Sequence, residues 1–204
     1  MAGSDVTPVL ISDEVALDAD GISVAASVGN NAALVIGGAL ADGGSVTNAS
    51  GRQVTILSAG NDSSKSFNVV GTDVNGAALT ESVTGANAGT ATSSGYFKTI
   101  ASITAVGNPA GNVSAGINNN ALGVVFAGRT RLQGFSFVSG GTAGTANLRD
   151  TGATGTEVIQ FRSTGTDSQS DGARGFPDEG ILFKDGCFVT FIVGTIDLMM
   201  FYHA

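Results

Sequence analysis

One cysteine, one histidine, three prolines and no tryptophan occur among the 204 residues, and each scarcity excludes something. With Cys187 alone there can be no intrachain disulfide and no cysteine-cluster zinc site. With His203 alone, any catalytic arrangement that needs a histidine must run through that one residue. Charge is scarce too: 13% of residues are charged, about half the usual share. Cations are scarcest, with nine Lys and Arg against seventeen Asp and Glu, for a net charge of −8. Phosphate contacts dominate nucleic-acid affinity, so this balance argues against a nucleic-acid partner. No apolar run is long enough for a membrane-spanning helix. The start, Met1-Ala2-Gly3-Ser4-Asp5, has no basic stretch or apolar h-region of a secretory signal. The expectation is a soluble chain made in the cytosol, with no membrane partner.

What is present points to strands. Glycine occurs 31 times without a three-residue period, which excludes collagen and interrupts any long amphipathic helix. Val, Ile and Thr abound, and the polar surface is supplied by Ser, Thr and Asn, a composition suited to strands and turns. A short helical turn over Asp13 to Ala19 is the one helical expectation.

The spacing predicts strands over Arg52–Ser58, Ser66–Thr72, Ala78–Val83, Phe97–Val106 and Asn112–Ile117. Asn75-Gly76 marks a tight hairpin turn, and Pro109 ends the fourth of these strands. Asn118 to Gly123 reads as a linker. Beyond it, strands are expected over Arg131–Ser139, Gly144–Arg149, Thr156–Arg162, Gly180–Phe183, Cys187–Val193 and Thr195–Tyr202, with Ser163–Arg174 as a long exposed loop. The last two strands are apolar at successive positions, so period-two alternation is lost and both faces call for cover. One face belongs to the domain's own core. The other is the expected interface, and Phe188, Phe191, Leu198, Met200 and Tyr202 are its candidate residues.

The architecture expected is all-β: two antiparallel β-sandwich or jelly-roll-like domains with little helix. Residues 1–29 would form an N-terminal arm, residues 30–120 a β-sandwich, and residues 121–204 a smaller barrel or jelly-roll-like domain.

Candidate chemistry is sparse. Cys187 and His203 lie on neighbouring expected strands, but Cys187 reads more simply as a small buried hydrophobe. Asp18-Ala19-Asp20-Gly21 and Asp73-Val74-Asn75-Gly76 open like calcium loops, yet neither has Glu at the twelfth position; turn formation explains both. Gly140 to Gly144 and Gly85 to Gly95 lack the Lys and the following helix of a phosphate loop. Glu81, between Leu79 and Val83, either points inward toward Arg52 or Lys98 or stands in water. No cofactor, metal site or enzymatic activity is expected.

An ordered series of residues carries a resemblance. Gly51-Arg52-Gln53-Val54-Thr55-Ile56, Gly60-Asn61-Asp62, Phe67, Gly71-Thr72-Asp73, Gly76, Thr80-Glu81 and Val83-Thr84-Gly85 begin it; Phe97-Lys98-Thr99-Ile100 and Gly111 to Gly116 continue it. The series resembles a β-sandwich module of tailed-phage virion proteins, many from marine and cyanobacterial hosts. Pro177 to Ile181, Asp185 to Val189 and the strand ending Phe201-Tyr202 are similar to a small β-barrel or jelly-roll unit of phage particle proteins. The resemblance implies a virion component on the capsid surface: a decoration or cement protein, homotrimeric, with the major capsid protein as partner. A neck, tail or fibre protein is the alternative it leaves open. A carbohydrate-binding adhesin is a further one, disfavoured by the lack of Trp and the presence of only Tyr96 and Tyr202.

Overall fold

The computed structural model describes residues 6–12, 16–139, 141–163, 170–177, 179–193 and 196–204. Among them are sixteen strands and no helix. The first eight are β1 (Thr7–Ser12), β2 (Asp18–Ser27), β3 (Ala41–Asp42), β4 (Ser45–Ser58), β5 (Ser66–Thr72), β6 (Ala78–Thr84), β7 (Thr90–Thr92) and β8 (Phe97–Val106). The rest are β9 (Asn112–Phe126), β10 (Thr130–Ser139), β11 (Gly144–Asp150), β12 (Glu157–Ser163), β13 (Ser170–Gly175), β14 (Ile181–Phe183), β15 (Cys187–Val193) and β16 (Ile196–His203). They form two antiparallel sheets, of five and eleven strands. The protein is all-β. The chain divides into two compact units, Val15–Asn118 and a second made of Met1–Glu14 with Asn119–Ala204.

In the unit Val15–Asn118, the strand order is β9, β4, β8, β5, β6, with β2 on β9 and β3 and β7 on β4. The long strand β4 pairs with β8 through Val46–Arg52 and with β7 through Thr55–Leu57. Each stretch of β4 therefore satisfies its backbone groups against a different neighbour, as ladder hydrogen bonding requires. Phe67 and Val69 of β5 point inward while Asn68 and Val70 do not, and they meet Phe97, Ile100 and Ile103 of β8 in a core that is fully buried at these positions. The hairpin from β5 to β6 closes from Thr72 to Ala78. Its turn places Gly76 at φ +81°, a conformation that favours glycine. The first and last strands of the unit pair with each other, Asp18 opposite Ile117, so the two chain ends of this unit lie side by side.

In the other unit, one sheet has the order β1, β16, β10, β13 with β14 beside β10, and the facing strands have the order β12, β11, β15, β9. Along the chain the eight main strands visit the two layers in the sequence β1, then β9, then β10, then β11 and β12, then β13, then β15, then β16. That is the connectivity of a jelly roll, two Greek keys wrapped over one core. The core fills from both layers. Leu132, Phe135 and Phe137 of β10 and Ile196, Leu198 and Met200 of β16 meet Ala146, Leu148, Phe161, Cys187 and Val189 from the opposite layer. The rings of Phe135 and Phe161 stand edge to face with centroids 4.5 Å apart, a favoured aromatic geometry.

This connectivity corrects several expectations. Residues 1–29 do not form an arm in their described part: β1 is the first jelly-roll strand, pairing with β16 from Thr7–Tyr202 to Ser12–Asp197, and β2 pairs with β9. Ile11 is 5% exposed and packs in the jelly-roll core, which is why β1 is held. The expected boundary at residues 120 and 121, and the linker Asn118–Gly123, fall inside the uninterrupted strand β9, where Ala121 and Leu122 are buried and pair with Phe191 and Thr190. The N-terminal unit is thus an insertion between the first and second strands of the jelly roll. In the expected loop Ser163–Arg174, residues 170–174 belong to β13 and pair with β10, while 164–169 lie outside the described residues. The expected helical turn reaches residues 13–15, also outside them; Asp18 and Ala19 begin β2.

Removing residues 1–14 distinguishes a strand from an arm. Losing the buried Ile11, the partly buried Val9 and one ladder of the sheet is expected to destabilise the jelly roll by about 3 kcal/mol or more. Hydrogen exchange read by mass spectrometry checks this: amides of 119–204 lose protection, and those of 15–118 keep it.

Candidate functional site

Cys187 and His203 are not brought together. Cys187 is fully buried in the jelly-roll core and pairs across β15 with Phe126 and Asp150, whereas His203 is an exposed residue opposite Arg131. Burial, and then the nearby Asp150 carboxylate, push the Cys187 thiol far above its ordinary range. A thiol that cannot ionise is a poor nucleophile. Its role is packing.

Several acidic residues are held by the backbone. Asp73 Oδ1 accepts from the amides of Asn75 (2.8 Å) and Ala77 (2.9 Å), holding the hairpin turn. Asp18 Oδ1 accepts from Asp20 N–H at 3.2 Å. Glu81 receives the amides of Ser94 (2.6 Å) and Gly95 (2.8 Å), rather than the Lys98 ammonium, which donates to the Ala49 carbonyl. Burial lowers the Lys98 pKa from its ordinary value. Among the described residues no three His, Cys, Asp or Glu side chains stand together as a metal would require. The small-residue stretch Gly85–Gly95 contains the strand β7, and Gly141 is a positive-φ turn residue at +88°.

Sequence reasoning missed Asp62. It is fully buried, its Oδ1 accepts from Ala110 N–H at 2.7 Å, and its own backbone bonds to Ala86 (2.9 Å) and Lys65 (2.8 Å). One residue thus ties together three loops of the inserted unit. The signal available was Gly60-Asn61-Asp62, a turn cluster, but nothing local says that its carboxyl turns inward. Asp150 plays a like part in the jelly roll, accepting from the amides of Lys184 (3.1 Å) and Asp185 (2.9 Å).

The proposed interface residues are placed individually. Leu198 and Met200 are fully buried and Phe188 is 5% exposed. Tyr202 is partly buried against the same core and stacks on Phe126 with centroids 5.4 Å apart. The side chain of Phe191 lies outside the described residues. Leu198 and Met200 serve the jelly roll's own core, as do Cys187 and Val189 on either side of Phe188. Strand alternation explains this: in β16, Ile196, Leu198 and Met200 face inward, which turns Asp197, Met199, Phe201 and His203 outward. Neither a family model, nor a curated protein, nor a solved structure matches the chain.

The outward face of this sheet is the candidate surface. On β16 it carries Met199 and Phe201, the latter 36% exposed. Beside them on β1 stand the exposed Pro8 and Leu10, opposite Phe201 and Met199, with Leu10 58% exposed. On β10 the partners are Gly134, Ser136 and the half-buried Val138. The face is apolar in the middle and polar at its ends. Asp197 stands at one end; Arg131 and His203 stand opposite each other at the other. Arg131 also lines a cleft of about 570 Å³ with Arg129, Gln133 and Glu179, and pairs with Glu179 at 2.9 Å. Apolar faces of this kind on soluble domains commonly mark interaction sites.

Two outcomes follow. Replacing Asp62 with Ala removes a buried acceptor and strands the Ala110 N–H, so the inserted unit is expected to lose about 2 kcal/mol in denaturant unfolding. For Cys187 the folded pKa is raised, so above the ordinary thiol value of 9.0 the unfolded chain binds fewer protons than the native one. Stability therefore falls as pH rises past that value, by up to about 1.4 kcal/mol per pH unit. Urea unfolding across this range should show the slope in the native sequence and not in Cys187→Ala.

Proposed function

We propose that the protein is a non-enzymatic structural component of a tailed-phage particle, seated in many copies on the outside of the capsid shell. The observation that carries this reading is the jelly-roll connectivity together with an exposed apolar sheet face. Jelly rolls recur in viral capsid and lectin domains, and fold alone does not decide function. The surface adds what the fold lacks. Met199, Phe201, Leu10 and Pro8 offer apolar area without polar groups that would need partners. The resemblance of residues 51–116 to phage particle modules supports the same reading.

The mechanism is mechanical. Each copy contributes a modest contact to the major capsid protein or to its neighbours, and the symmetry of the shell multiplies it. The net charge of −8 suits an outward position and opposes contact with packaged DNA. Of the side chains weighed for chemistry, Cys187 lies in the core, and Glu81 and Asp73 accept from backbone amides.

Quantitative mass spectrometry of purified particles assembled with this chain is the test. The expected result is an abundance comparable to that of the main shell protein. A few copies per particle would move it to the neck, tail or a fibre, and absence from particles would overturn the reading.

A further inference from the structure

We infer that Asn75 is a site of spontaneous self-modification, converting to aspartate and isoaspartate, and that Asp73 sets the rate by holding the turn closed. The inference stands apart from the proposed role, since the chemistry needs only this chain and water.

The reaction joins two neighbouring residues. The backbone nitrogen of Gly76 loses its proton to solvent base and attacks the side-chain carbonyl carbon of Asn75. A new C–N bond forms and the C–N bond of the side-chain amide breaks. The departing nitrogen takes protons from water and leaves as ammonia, and the residue is now a five-membered succinimide. Water then opens the ring at either carbonyl. One opening gives aspartate; the other gives isoaspartate, in which the main chain runs through the former side chain.

A side chain on the attacking residue hinders this approach, so the residue after the asparagine decides. Asn75 is the only asparagine of the chain that is followed by glycine. Asn75 and Gly76 are both exposed, and a Cβ built on Gly76 would meet nothing within 4 Å. Solvent base and water therefore reach the reacting atoms.

The turn opposes the reaction. Gly76 has φ +81° while Asn75 keeps a negative φ, the pattern of a type I turn followed by a left-handed glycine. The Gly76 N–H, which must lose its proton, donates to the Asp73 carbonyl at 3.1 Å. On either side of it, the amides of Asn75 (2.8 Å) and Ala77 (2.9 Å) donate to Asp73 Oδ1. The Asp73 N–H in turn donates to the Ala77 carbonyl at 2.8 Å. Swinging the Gly76 nitrogen onto the Asn75 side chain requires these bonds to open. The Asp73 carboxylate also disfavours a second negative charge forming in the same turn. Both brakes run through Asp73.

The product affects more than the turn. It makes the net charge one unit more negative than −8 and sets a second carboxylate in the turn with Asp73. Isoaspartate also lengthens the main chain of a hairpin whose closure, Thr72 opposite Ala78, fixes the register of β5 and β6. Strand β6 ends its sheet, with β5 as its ladder partner, so the damage falls on an edge.

The test is peptide mapping by mass spectrometry of the full chain, aged at mildly alkaline pH either folded or in urea. Cleavage after Lys65 and Lys98 releases residues 66–98, and fragmentation locates the mass gain of an amide turned to an acid. Isomerisation of an Asp-Gly pair such as Asp42-Gly43 leaves the mass unchanged, so the gain reports asparagine alone. In the folded chain Asn75 is expected to convert before any other asparagine, and about tenfold more slowly than in urea. Asp73→Ala removes two hydrogen bonds and the charge, and should speed the folded chain about tenfold. Asp73→Asn keeps an acceptor oxygen without the charge, and its rate should fall between those two. Thermal melts establish that each variant is folded, and the comparison of wild type with and without urea needs no variant. Converted chains should lose hydrogen-exchange protection across residues 66–84 first. Another asparagine converting first in the folded chain would overturn the inference. So would a folded chain that keeps Asn75 intact after the unfolded one has fully converted, or Asp73 variants no faster than wild type.

Discussion

The antiparallel pairing of Thr7–Ser12 with Asp197–Tyr202 is the constraint on which the architecture depends. It joins the two ends of the described chain into one sheet and makes everything between β1 and β9 an insertion. Such an insertion is possible only if its own ends emerge close together. That condition is met inside the inserted unit, where β2 and β9 are paired and Asp18 stands opposite Ile117. The two pairings are independent in sequence but linked in consequence: the second lets the first form without stretching the chain. A contact of such long sequence separation forms late and slowly, because loop closure must precede its reward.

A second theme is how an acidic chain with few cations stabilises its carboxyl groups. Asp18, Asp62, Asp73, Glu81 and Asp150 each accept from one or two backbone amides. Strand-rich chains have many turns, and each turn leaves N–H groups outside the ladders that need an acceptor. A carboxyl oxygen supplies it more strongly than a neutral group does. Among the described residues, Glu157 pairs instead with Arg149 at 3.1 Å.

Strand alternation then settles what the greasy C-terminal segment does. Met199-Met200-Phe201 looks uniform in sequence, yet one of the three side chains enters the core and two leave it. The apolar excess that a single core cannot use is collected on one face, together with Pro8 and Leu10 from the other end of the chain. The same alternation makes Cys187 inert and keeps His203 in water.

The sequence by itself determined the all-β class, most strand positions from Arg52 to His203 and the turn at Asn75-Gly76, because these rest on local propensity, short period and composition. The two-sided apolarity of β15 and β16 was legible as well, but not which residues face outward: Leu198 and Met200 read the same as Met199 and Phe201 until a register is chosen. Only the tertiary structure decided that residues 7–12 are a jelly-roll strand, that Asn118–Gly123 continue a strand instead of linking domains, and that Asp62 turns inward. Each of these depends on a partner far away along the chain: β16 for β1, β15 for the second half of β9, and Ala110 for Asp62. A neighbour-based pattern carries no record of such partners, since only the closed sheets bring them within hydrogen-bonding distance.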